Sequence, residues 1–511
     1  MISYSIILRF LGSSSLMAAT LMHASIRLEV IGTYQSGVFD DAAAEIVAHH
    51  PGKQRLYIVN GAEGAIDVVE INDPKHPRKT GSLDIRPFGS DVQSLASHGE
   101  LIGVAVMGDK KSDPGKAVFF NTDGKLLGHV TVGSLPDMIT FTPDGRYALT
   151  ANEGEPEEDF SVNPVGTVSI IGIPADGRSF RQENVTTLDF SAWDGASIPG
   201  THPGHPDYPN SRNFEPEYIA VSPCSSRAWV TLQESNAIEI IDIPGKRIVD
   251  VKGLGFKDHM THPIDPSDRD GGIRIRPWPV KGIYQPDTLA VHSINGQLYL
   301  IGANEGDARD WKAWSEETRV SQLKLDPDAY PDAVDLQRPE KLGRLRTSTV
   351  AGDSNGDGLV DQIYAFGARS FSIWNADSLE LVYDSSSDFE YIAALMQPRL
   401  YNADHSSNDS RDGRSDDKGV EPEAIAIGEI EGRAYAFIGF ERMGGVAVYD
   451  ISDPRNASFV HYINNRDPDG DQASGNAGDL GPECVLFVTA ENSPTGKPVL
   501  IVSNEVSGTT T

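Results

Sequence analysis

The chain has 511 residues, of which 74 are acidic and 43 basic, so its formal net charge at neutral pH is −31. A chain this negative repels the phosphate backbone of nucleic acids and anionic membrane surfaces, and it attracts cations. Its 50 glycines and 32 prolines, with only 39% hydrophobic residues, favour many short strands and turns over long helices. We therefore expect an all-β protein that does not bind nucleic acid.

The first 24 residues carry an apolar segment that resembles a secretion signal ending in small residues. Arg9 interrupts the apolar part and no basic cluster precedes it, so a signal peptide and an extended start before the domain both remain open. No later segment reaches the roughly 18 apolar residues that a membrane helix needs. We expect no membrane span, and no disulfide between Cys224 and Cys484, which fall in different repeats.

A repeated pattern of short apolar strands, separated by charged turns that contain glycine, runs along the chain. It is clearest in residues 421–450, where strands are predicted at 424–427, 434–440 and 446–451, with a fourth at 459–463. Such a unit is typical of one blade of a β-propeller. The innermost strands of the other units begin near Glu45, Gln93, Asp137, Glu217, Asp287 and Glu483, and one degenerate unit follows residue 362. The sequence predicts a propeller of seven or eight four-stranded blades, and the repeat count favours eight.

The two ends of the chain are expected to complete one blade. The strand predicted at 27–34 has no partners before it, and the last unit stops at Thr511 without an outer strand. Because an open ring leaves exposed strand edges, we expect the N-terminal strand to pair into the last blade. Residues 27–511 then form a single domain with polar insertions at 174–214, 253–283, 306–342 and 385–420, which we expect on one face.

Residues 353–361 form a motif with the spacing of a calcium-binding loop, placed before a predicted strand. Calcium needs six to eight oxygen ligands, and alternate side chains in a tight loop can supply them. Position twelve is Tyr364 instead of a glutamate, so the loop precedes a strand and not a helix. A solvated turn is the alternative interpretation. The predicted calcium ligands are the side chains of Asp353, Asn355, Asp357 and Asp361 and the carbonyl of Leu359.

A second set of candidate residues is acidic and recurs with the repeat. An acidic residue opens the innermost strand in six units, and a glutamate follows the end of the second strand in five. Since the start of one strand and the end of its antiparallel neighbour share one edge of a sheet, these residues are expected at one mouth of the central channel. They can bind a cation or polar ligand, or accept hydrogen bonds from nearby backbone donors. The set comprises Glu45, Asp137, Glu153, Glu217, Glu234, Asp287, Glu305, Glu423, Glu441, Glu483 and Glu505.

Several longer motifs resemble the bacterial choice-of-anchor I propeller family, which is related to the mesenchyme-specific cell-surface glycoproteins. They lie at 134–145 (SLPDMITFTPDG), 151–156 (ANEGEP), 368–374 (ARSFSIW), 414–423 (RSDDKGVEPE) and 503–508 (SNEVSG). The resemblance implies an exported or surface-attached propeller, and some relatives are labelled alkaline phosphatase. The chain ends at Thr511 without a sorting signal or anchor helix, so secreted and periplasmic forms are expected beside a cell-surface one.

Two functions follow as hypotheses. The first is a non-catalytic, calcium-binding extracytoplasmic module whose loop-rich face binds a ligand of the cell surface or one related to mineral or phosphate. The second is a metal-dependent phosphoesterase that uses the acidic mouth to hold cations. The chain has no Gly-x-Ser-x-Gly motif and no phosphate-cradling glycine loop, and the His202/His205 and His259/His262 pairs lack a third ligand for zinc. The binding module is therefore preferred.

Overall fold

The structure is a computed structural model that describes residues 26–511, and it contains seven four-stranded antiparallel sheets. The signal segment predicted at 1–24 lies outside the described residues. The innermost strands of consecutive sheets contact one another in a closed circle, because the seventh sheet also contacts the first. The sheets are therefore the blades of a β-propeller, as predicted.

The strands of each blade follow in order from the channel outward. Blade 1 has Val47–His50, Arg55–Asn60, Ala65–Glu70 and Arg78–Asp84, blade 2 has Asp91–His98, Leu101–Met107, Pro114–Asn121 and Leu126–Ser134, and blade 3 has Pro136–Phe141, Tyr147–Asn152, Thr167–Gly172 and Val185–Asp189. Blade 4 has Pro216–Val221, Arg227–Leu232, Ala237–Asp242 and Arg247–Gly253, and blade 5 has Leu289–Ile294, Gln297–Asn304, Ser370–Asn375 and Leu381–Asp384. Blade 6 has Pro422–Ile430, Arg433–Phe440, Val446–Asp450 and Ser458–Ile463, and blade 7 has Pro482–Val488, Val499–Asn504, Thr509–Thr510 and Tyr34–Gln35.

The N-terminal strand closes the ring in blade 7, as predicted, but it spans Tyr34–Gln35 and not residues 27–34. Tyr34 and Gln35 pair with Thr510 and Thr509, so the N-terminal strand is the outer strand of the last blade. The Tyr34 hydroxyl also donates a hydrogen bond to buried Asp67 of blade 1, at 2.7 Å. The closure therefore joins both ends of the chain and leaves no open edge between the first and last blades.

The count of eight units is not reproduced, since the described residues form seven blades. The degenerate unit after residue 362 is not a blade of its own. Its strands Ser370–Asn375 and Leu381–Asp384 are the third and fourth strands of blade 5, whose first two strands precede the insertion. The strand Ile363–Ala365 instead pairs in parallel with Val280–Ile283, which pairs with Phe256–Asp258 in a separate small sheet.

The insertions form a small body of their own on the propeller. Ile264, Trp278, Val320, Leu345 and Ile363 belong to its separate apolar core. Its remaining elements are the ribbons Asp310–Trp311 with Trp314–Ser315 and Glu317–Arg319 with Arg346–Ser348, the helix Ala333–Leu336 and the 3-10 turn Val320–Gln322. The helix Asp388–Met396 packs instead in the apolar cluster of blades 5 and 6. Other 3-10 turns lie at Gly61–Glu63, Gln182–Asn184, Ser191–Trp193 and Asn210–Arg212. No helix within residues 26–511 is long and apolar enough to cross a membrane.

Apolar side chains fill the space between each pair of neighbouring blades. Trp229 of blade 4 and Trp374 of blade 5, for example, are fully buried in one such cluster. Strands that are covered on both faces read as nearly continuous apolar runs, which explains why the second strand of each unit stands out in the sequence. These cores hold the blades rigidly around the channel and so fix the positions of residues at its mouth.

The long connections lie on one face of the ring. In an antiparallel blade the loop between the second and third strands and the connection to the next blade both leave from the edge where the inner strand starts. Residues 305–369 within blade 5 and residues 385–421 between blades 5 and 6 are connections of this kind. The predicted insertion at 174–214 is only partly a connection between blades, because it contains the outer strand Val185–Asp189 of blade 3. The loop-rich face is thus the face that carries the acidic residues.

Candidate functional site at the mouth of the central channel

Each inner strand has a β-bulge at its start, and the bulge holds the candidate residue. In blade 3 the pairing register shifts between Pro136 and Met138, which leaves Asp137 as the extra residue. The same shift occurs in blades 2, 4, 6 and 7, and in blade 1 Glu45 and Ile46 lie opposite the single residue Val59. Bulges re-aim side chains and recur beside functional sites. The bulged residues are Glu45, Gln93, Asp137, Glu217, Asp287, Glu423 and Glu483, one from each blade.

These side chains surround a cavity of about 510 Å³ at the centre of the ring. Glu45, Gln93, Asp137, Asp287 and Glu483 line it directly. Glu217 and Glu423 are close enough for repulsion from the neighbouring carboxyl groups to act on them. The structure therefore brings the predicted inner residues together around one polar space.

The glutamates that follow the second strands lie beside this inner set. Glu153 is within hydrogen-bonding reach of Asp137, and Glu234 is within reach of Glu215, which precedes the inner strand of blade 4. Glu423 and Glu483, from neighbouring blades, form a third pair of carboxyl groups. Two carboxyl groups this close share a proton or hold a cation between them, because two adjacent negative charges repel each other.

Burial and mutual repulsion raise the pKa values of this set. Burial, followed by repulsion from Glu505, raises the pKa of Glu45 to about 9. Burial raises the pKa of Asp137 to about 6 and that of Glu234 to about 7. Burial, with repulsion from neighbouring carboxylates, also raises the pKa values of Glu153, Glu217, Asp287, Glu305, Glu423, Glu483 and Glu505. Without a cation, the channel therefore holds protons near neutral pH.

Several of these carboxyl oxygens have no donor of their own. Among the described residues, no N–H or hydroxyl group donates a hydrogen bond to Oε2 of Glu217, Glu234 or Glu423. Glu234 is 7% exposed and Glu423 is 8% exposed. Buried polar atoms are rarely left without a partner, so a cation or an ordered water is the expected occupant beside them.

Three cationic side chains neutralise one part of the mouth, two from the connection before blade 6 and one from the turn after its second strand. Burial alone would raise the pKa of Glu421, but Lys418, Arg414 and Arg442 hold it below its usual range. The Lys418 ammonium lies 3.1 Å from Glu421 Oε2, and Arg442 Nε lies 3.0 Å from the same oxygen. Lys418 also contacts Glu305 Oε1 at 2.7 Å. This segment of the mouth is an internal network of ion pairs.

A second buried network lies beneath the insertion of blade 5. Arg309 Nε lies 3.2 Å from Glu215 Oε2, and its backbone N–H donates to Glu316 Oε1 at 3.0 Å. Glu316 Oε2 lies 2.5 Å from His202 Nε2. Because all of these side chains are buried, the network ties the insertion to the start of the inner strand of blade 4.

The histidines of the two zinc-spaced pairs contact other groups of the chain. His202 contacts Glu316, whereas His205 packs against aromatic rings. His259 Nδ1 contacts the backbone carbonyl of His262 at 2.9 Å. The side chains within each pair therefore have different partners.

The predicted calcium loop is an exposed turn in the insertion of blade 5. The Asp353 carboxylate accepts hydrogen bonds from the N–H groups of Gly356, Asp357 and Gly358, at 2.7, 3.1 and 2.9 Å. The Asp361 carboxylate accepts one from the hydroxyl of Ser354 at 2.6 Å. Asn355 and Asp357 likewise accept hydrogen bonds from backbone N–H groups, those of Asp357 and Leu359. The oxygens turn into the loop and are of the hard type that calcium takes, so the residues fit the ion, and calcium binding stays a prediction.

The sequence profile of the choice-of-anchor I domain matches residues 45–454. This chain belongs to the choice-of-anchor I family. The propeller and the acidic channel mouth are therefore features of a choice-of-anchor I domain, and the resemblance drawn from the sequence motifs is confirmed. The family and the fold together indicate a surface-associated interaction module.

Two animal proteins are similar to parts of the chain. Gigasin-3a of Magallana gigas is 31% identical over 184 residues, which are 34% of this chain and 64% of that protein. The mesenchyme-specific cell surface glycoprotein of Strongylocentrotus purpuratus is 25% identical over 284 residues, which are 49% of this chain and 36% of that protein. The matched part spans less than two thirds of either relative.

Solved structures resemble the choice-of-anchor I chain at low sequence identity. Hydrazine synthase of Kuenenia stuttgartiensis gives a TM-score of 0.48 at 13% identity, over 94% of this chain and 98% of that one. The β-propeller domain of Myceliophteria thermophila Cps50 (Swd1) gives a TM-score of 0.43 at 8% identity, over 94% of this chain and 98% of that one.

Proposed function

We propose that this protein is an exported, extracytoplasmic binding module that holds cations at its acidic channel mouth and recognises a ligand on the loop-rich face. The observation that carries the proposal is the set of buried carboxyl oxygens without donors, on Glu217, Glu234 and Glu423. Cation binding relieves the repulsion that raises their pKa values. The cell-surface glycoprotein among the relatives supports a location outside the cytoplasm.

Calcium is the cation proposed for the loop at residues 353–361. Its ligands are all oxygens, and the turn already directs the Asp353 carboxylate inward. Because the loop belongs to the insertion that covers the channel face, calcium would stiffen the surface that meets the ligand. Binding there would stabilise the folded chain by mass action.

An aromatic cluster on the loop-rich face supports ligand recognition. Phe160, Tyr208 and Trp311 come from three different loops, and the rings of Phe160 and Tyr208 are stacked with centroids 5.5 Å apart. Trp311 Nε1 donates to Glu155 Oε1 at 3.4 Å, and Glu155 in turn lies near the carboxyl group of Glu153. Rigid aromatic rings beside carboxylates suit a ligand that combines apolar surface with cationic or hydroxyl groups.

The second candidate is a metal-dependent phosphoesterase. The observation in its favour is that Lys418 and Arg442 lie among the carboxylates, since cations and basic side chains together stabilise a transferring phosphoryl group. Both side chains are already paired with Glu421, however, and the net charge repels free phosphate esters. The binding module therefore remains the better supported function.

Calorimetric titration of calcium into EDTA-treated protein tests the channel as a cation site. Glu423→Gln should weaken the binding attributed to the channel, whereas Glu491→Gln, an exposed residue on the opposite face, should leave it unchanged. Identical titrations for Glu423→Gln and the parent chain would contradict the proposal. A parallel assay with p-nitrophenyl phosphate separates the two functions, because turnover lost in Glu217→Gln or Glu423→Gln would establish the phosphoesterase instead.

A further inference from the structure

One group of side chains at the mouth combines an imidazole with two carboxylates. His405 lies in the connection between blades 5 and 6, whereas Glu441 and Glu505 follow the second strands of blades 6 and 7. His405 Nδ1 is 3.1 Å from Glu441 Oε1 and 3.8 Å from Glu505 Oε1. One ligand atom from each of the three residues lies within 4.8 Å of the other two.

This donor set differs from the calcium loop in its chemistry. Calcium and magnesium take oxygen ligands, whereas an imidazole nitrogen with two carboxylate oxygens suits zinc and related first-row metals. Three protein ligands also leave a coordination position open for water or for an external ligand. The cluster therefore favours zinc-class ions over calcium through the type of its ligand atoms, and not only through its charge.

A second cluster with the same spacing is neutralised by cationic side chains of the protein. Glu305, Glu421 and Glu441 also lie within 4.8 Å of one another. Their carboxylates are neutralised by Lys418, at 2.7 Å from Glu305 and 3.1 Å from Glu421, and by Arg442. The protein's own cations occupy that cluster, so it does not need a metal ion.

The cluster around His405 is compensated less completely, since a single guanidinium contacts its imidazole and one of its two carboxylates. Arg442 is the cationic side chain that contacts it, at 3.1 Å from Glu441, and this guanidinium is shared with Glu421. Behind Glu441 lies Glu423, which is 8% exposed and whose Oε2 receives no hydrogen bond from the described part of the chain. When both are ionised, Glu423 and Glu441 repel each other, and the mouth then carries an excess of negative charge. A divalent cation would compensate it.

The surroundings of His405 also suit a metal ligand. Its Nε2 lies 3.7 Å from the Asp404 carboxylate, on the side of the ring away from Nδ1. This distance is too long for a hydrogen bond, but a carboxylate on this side of the ring can orient a metal-binding histidine when the two groups approach. Arg442 Nη1 lies 3.0 Å from Nδ1 and 2.7 Å from Nε2 of this imidazole, so the guanidinium would have to turn toward Glu421 and leave Nδ1 to the metal.

We propose that His405, Glu441 and Glu505 bind a divalent transition-metal ion of the zinc class at the rim of the channel. The inference deepens the proposed function and rests on it, since it places one chemically distinct cation in the mouth that was proposed to hold cations. The metal bridges blades 6 and 7 and the covering loop, and its open position faces the loop-rich side, where an external ligand can reach it.

Titration of Zn²⁺ and Co²⁺ into the metal-free, full-length chain tests this site. We expect one Zn²⁺ per chain and visible absorption bands for bound Co²⁺ that report a nitrogen ligand. His405→Gln should weaken Zn²⁺ binding by about 100-fold or more, because even the outer partners of metal-binding histidines contribute roughly 10- to 100-fold. The matched control is His76→Gln, which changes an exposed histidine whose side chain is 82% accessible.

The outcomes separate this inference from the wider proposal. Calcium binding at the channel should survive His405→Gln, since calcium does not require the imidazole. If the parent chain binds no Zn²⁺, or if His405→Gln binds it as tightly as the parent, the site does not exist even where calcium still binds. Should His405→Gln fail to fold, Glu505→Gln takes its place, and a Co²⁺ spectrum in that variant identical to the parent's would overturn the assignment.

Discussion

In the metal-free protein, raising the pH from 5 to 8 should lower the free energy of unfolding through Glu45. Burial in the channel, with repulsion from Glu505, Asp91 and Asp137, raises the pKa of this carboxyl group from 4.5 to about 9. Between these two values the folded chain keeps a proton that the unfolded chain has released. Stability is therefore fully present below the unfolded pKa and declines as the pH rises toward the folded pKa.

The magnitude follows from the width of this window. Each pH unit within it lowers the free energy of unfolding by at most about 1.4 kcal/mol for one such group. Three units would give about 4 kcal/mol, but water reaches the channel and screens the charges, so we expect about 1–2 kcal/mol from Glu45. Glu421 affects stability in the opposite direction, because Lys418, Arg414 and Arg442 hold its pKa below the usual range against the effect of burial. Its contribution to the free energy of unfolding is lost only in solutions more acidic than pH 5.

Urea unfolding followed by tryptophan fluorescence, in EDTA at pH 5, 6.5 and 8, measures this dependence. Glu45→Gln removes the titrating group and should flatten the decline by about 1–2 kcal/mol. Glu491→Gln, which is exposed, serves as the control and should keep the decline of the parent chain. An unchanged decline in Glu45→Gln would refute the assignment of a raised pKa to this residue. Other channel acids, such as Asp137, should contribute in the same direction.

Three further perturbations test other parts of the structure. Calcium at about a hundredfold over its dissociation constant should stabilise the chain by roughly 2.7 kcal/mol, and Asp357→Ala should abolish most of this shift in calorimetric melting. Arg309→Met leaves Glu215 and Glu316 buried without their cation, so urea unfolding should show a loss of about 3–5 kcal/mol. A chain that begins at residue 37 lacks the strand Tyr34–Gln35 and should melt at a lower temperature, because blade 7 then has an open edge. An unchanged melting temperature would mean that this strand does not contribute to closure.

The sequence was sufficient to predict the propeller, its closure and the convergence of the acidic residues. Each blade repeats the same local pattern, and an antiparallel pair places the start of one strand beside the end of the next, whatever the loops do. The position of Glu423 relative to Glu441 therefore follows from strand order alone. The same argument failed to include Asp91, which begins the inner strand of blade 2 two residues before the bulged Gln93. Because the strands of different repeats start at different positions, the repeat pattern does not show that an acid two residues before the expected position also faces the channel.

The blade count and the loop-borne residues needed three-dimensional information. The insertion of blade 5 separates strands that pair with each other, so the second half of that blade reads as a unit of its own. His405 and Lys418 lie in a connection without a repeat, and nothing in their spacing shows which carboxylates they approach. Glu421 and Arg442 were both visible beside the strands of blade 6, but the approach of Lys418 and Arg414 to Glu421 was not. Contacts between an insertion and the ring depend on packing and not on local pattern.

The bulges interrupt regular strand pairing at the same position, the start of the inner strand, in all seven blades. A bulge leaves one residue out of the regular pairing of the inner strand, and in six blades that residue is an acid turned toward other acids. Stability alone would favour a neutral side chain there, as blade 2 shows with Gln93. A sequence that agrees with its fold at all other levels and departs from it in this way indicates a functional site. Under the proposed function, the repulsion among these acids is the counterpart of cation affinity, because the charge density that weakens the metal-free chain would attract the ion.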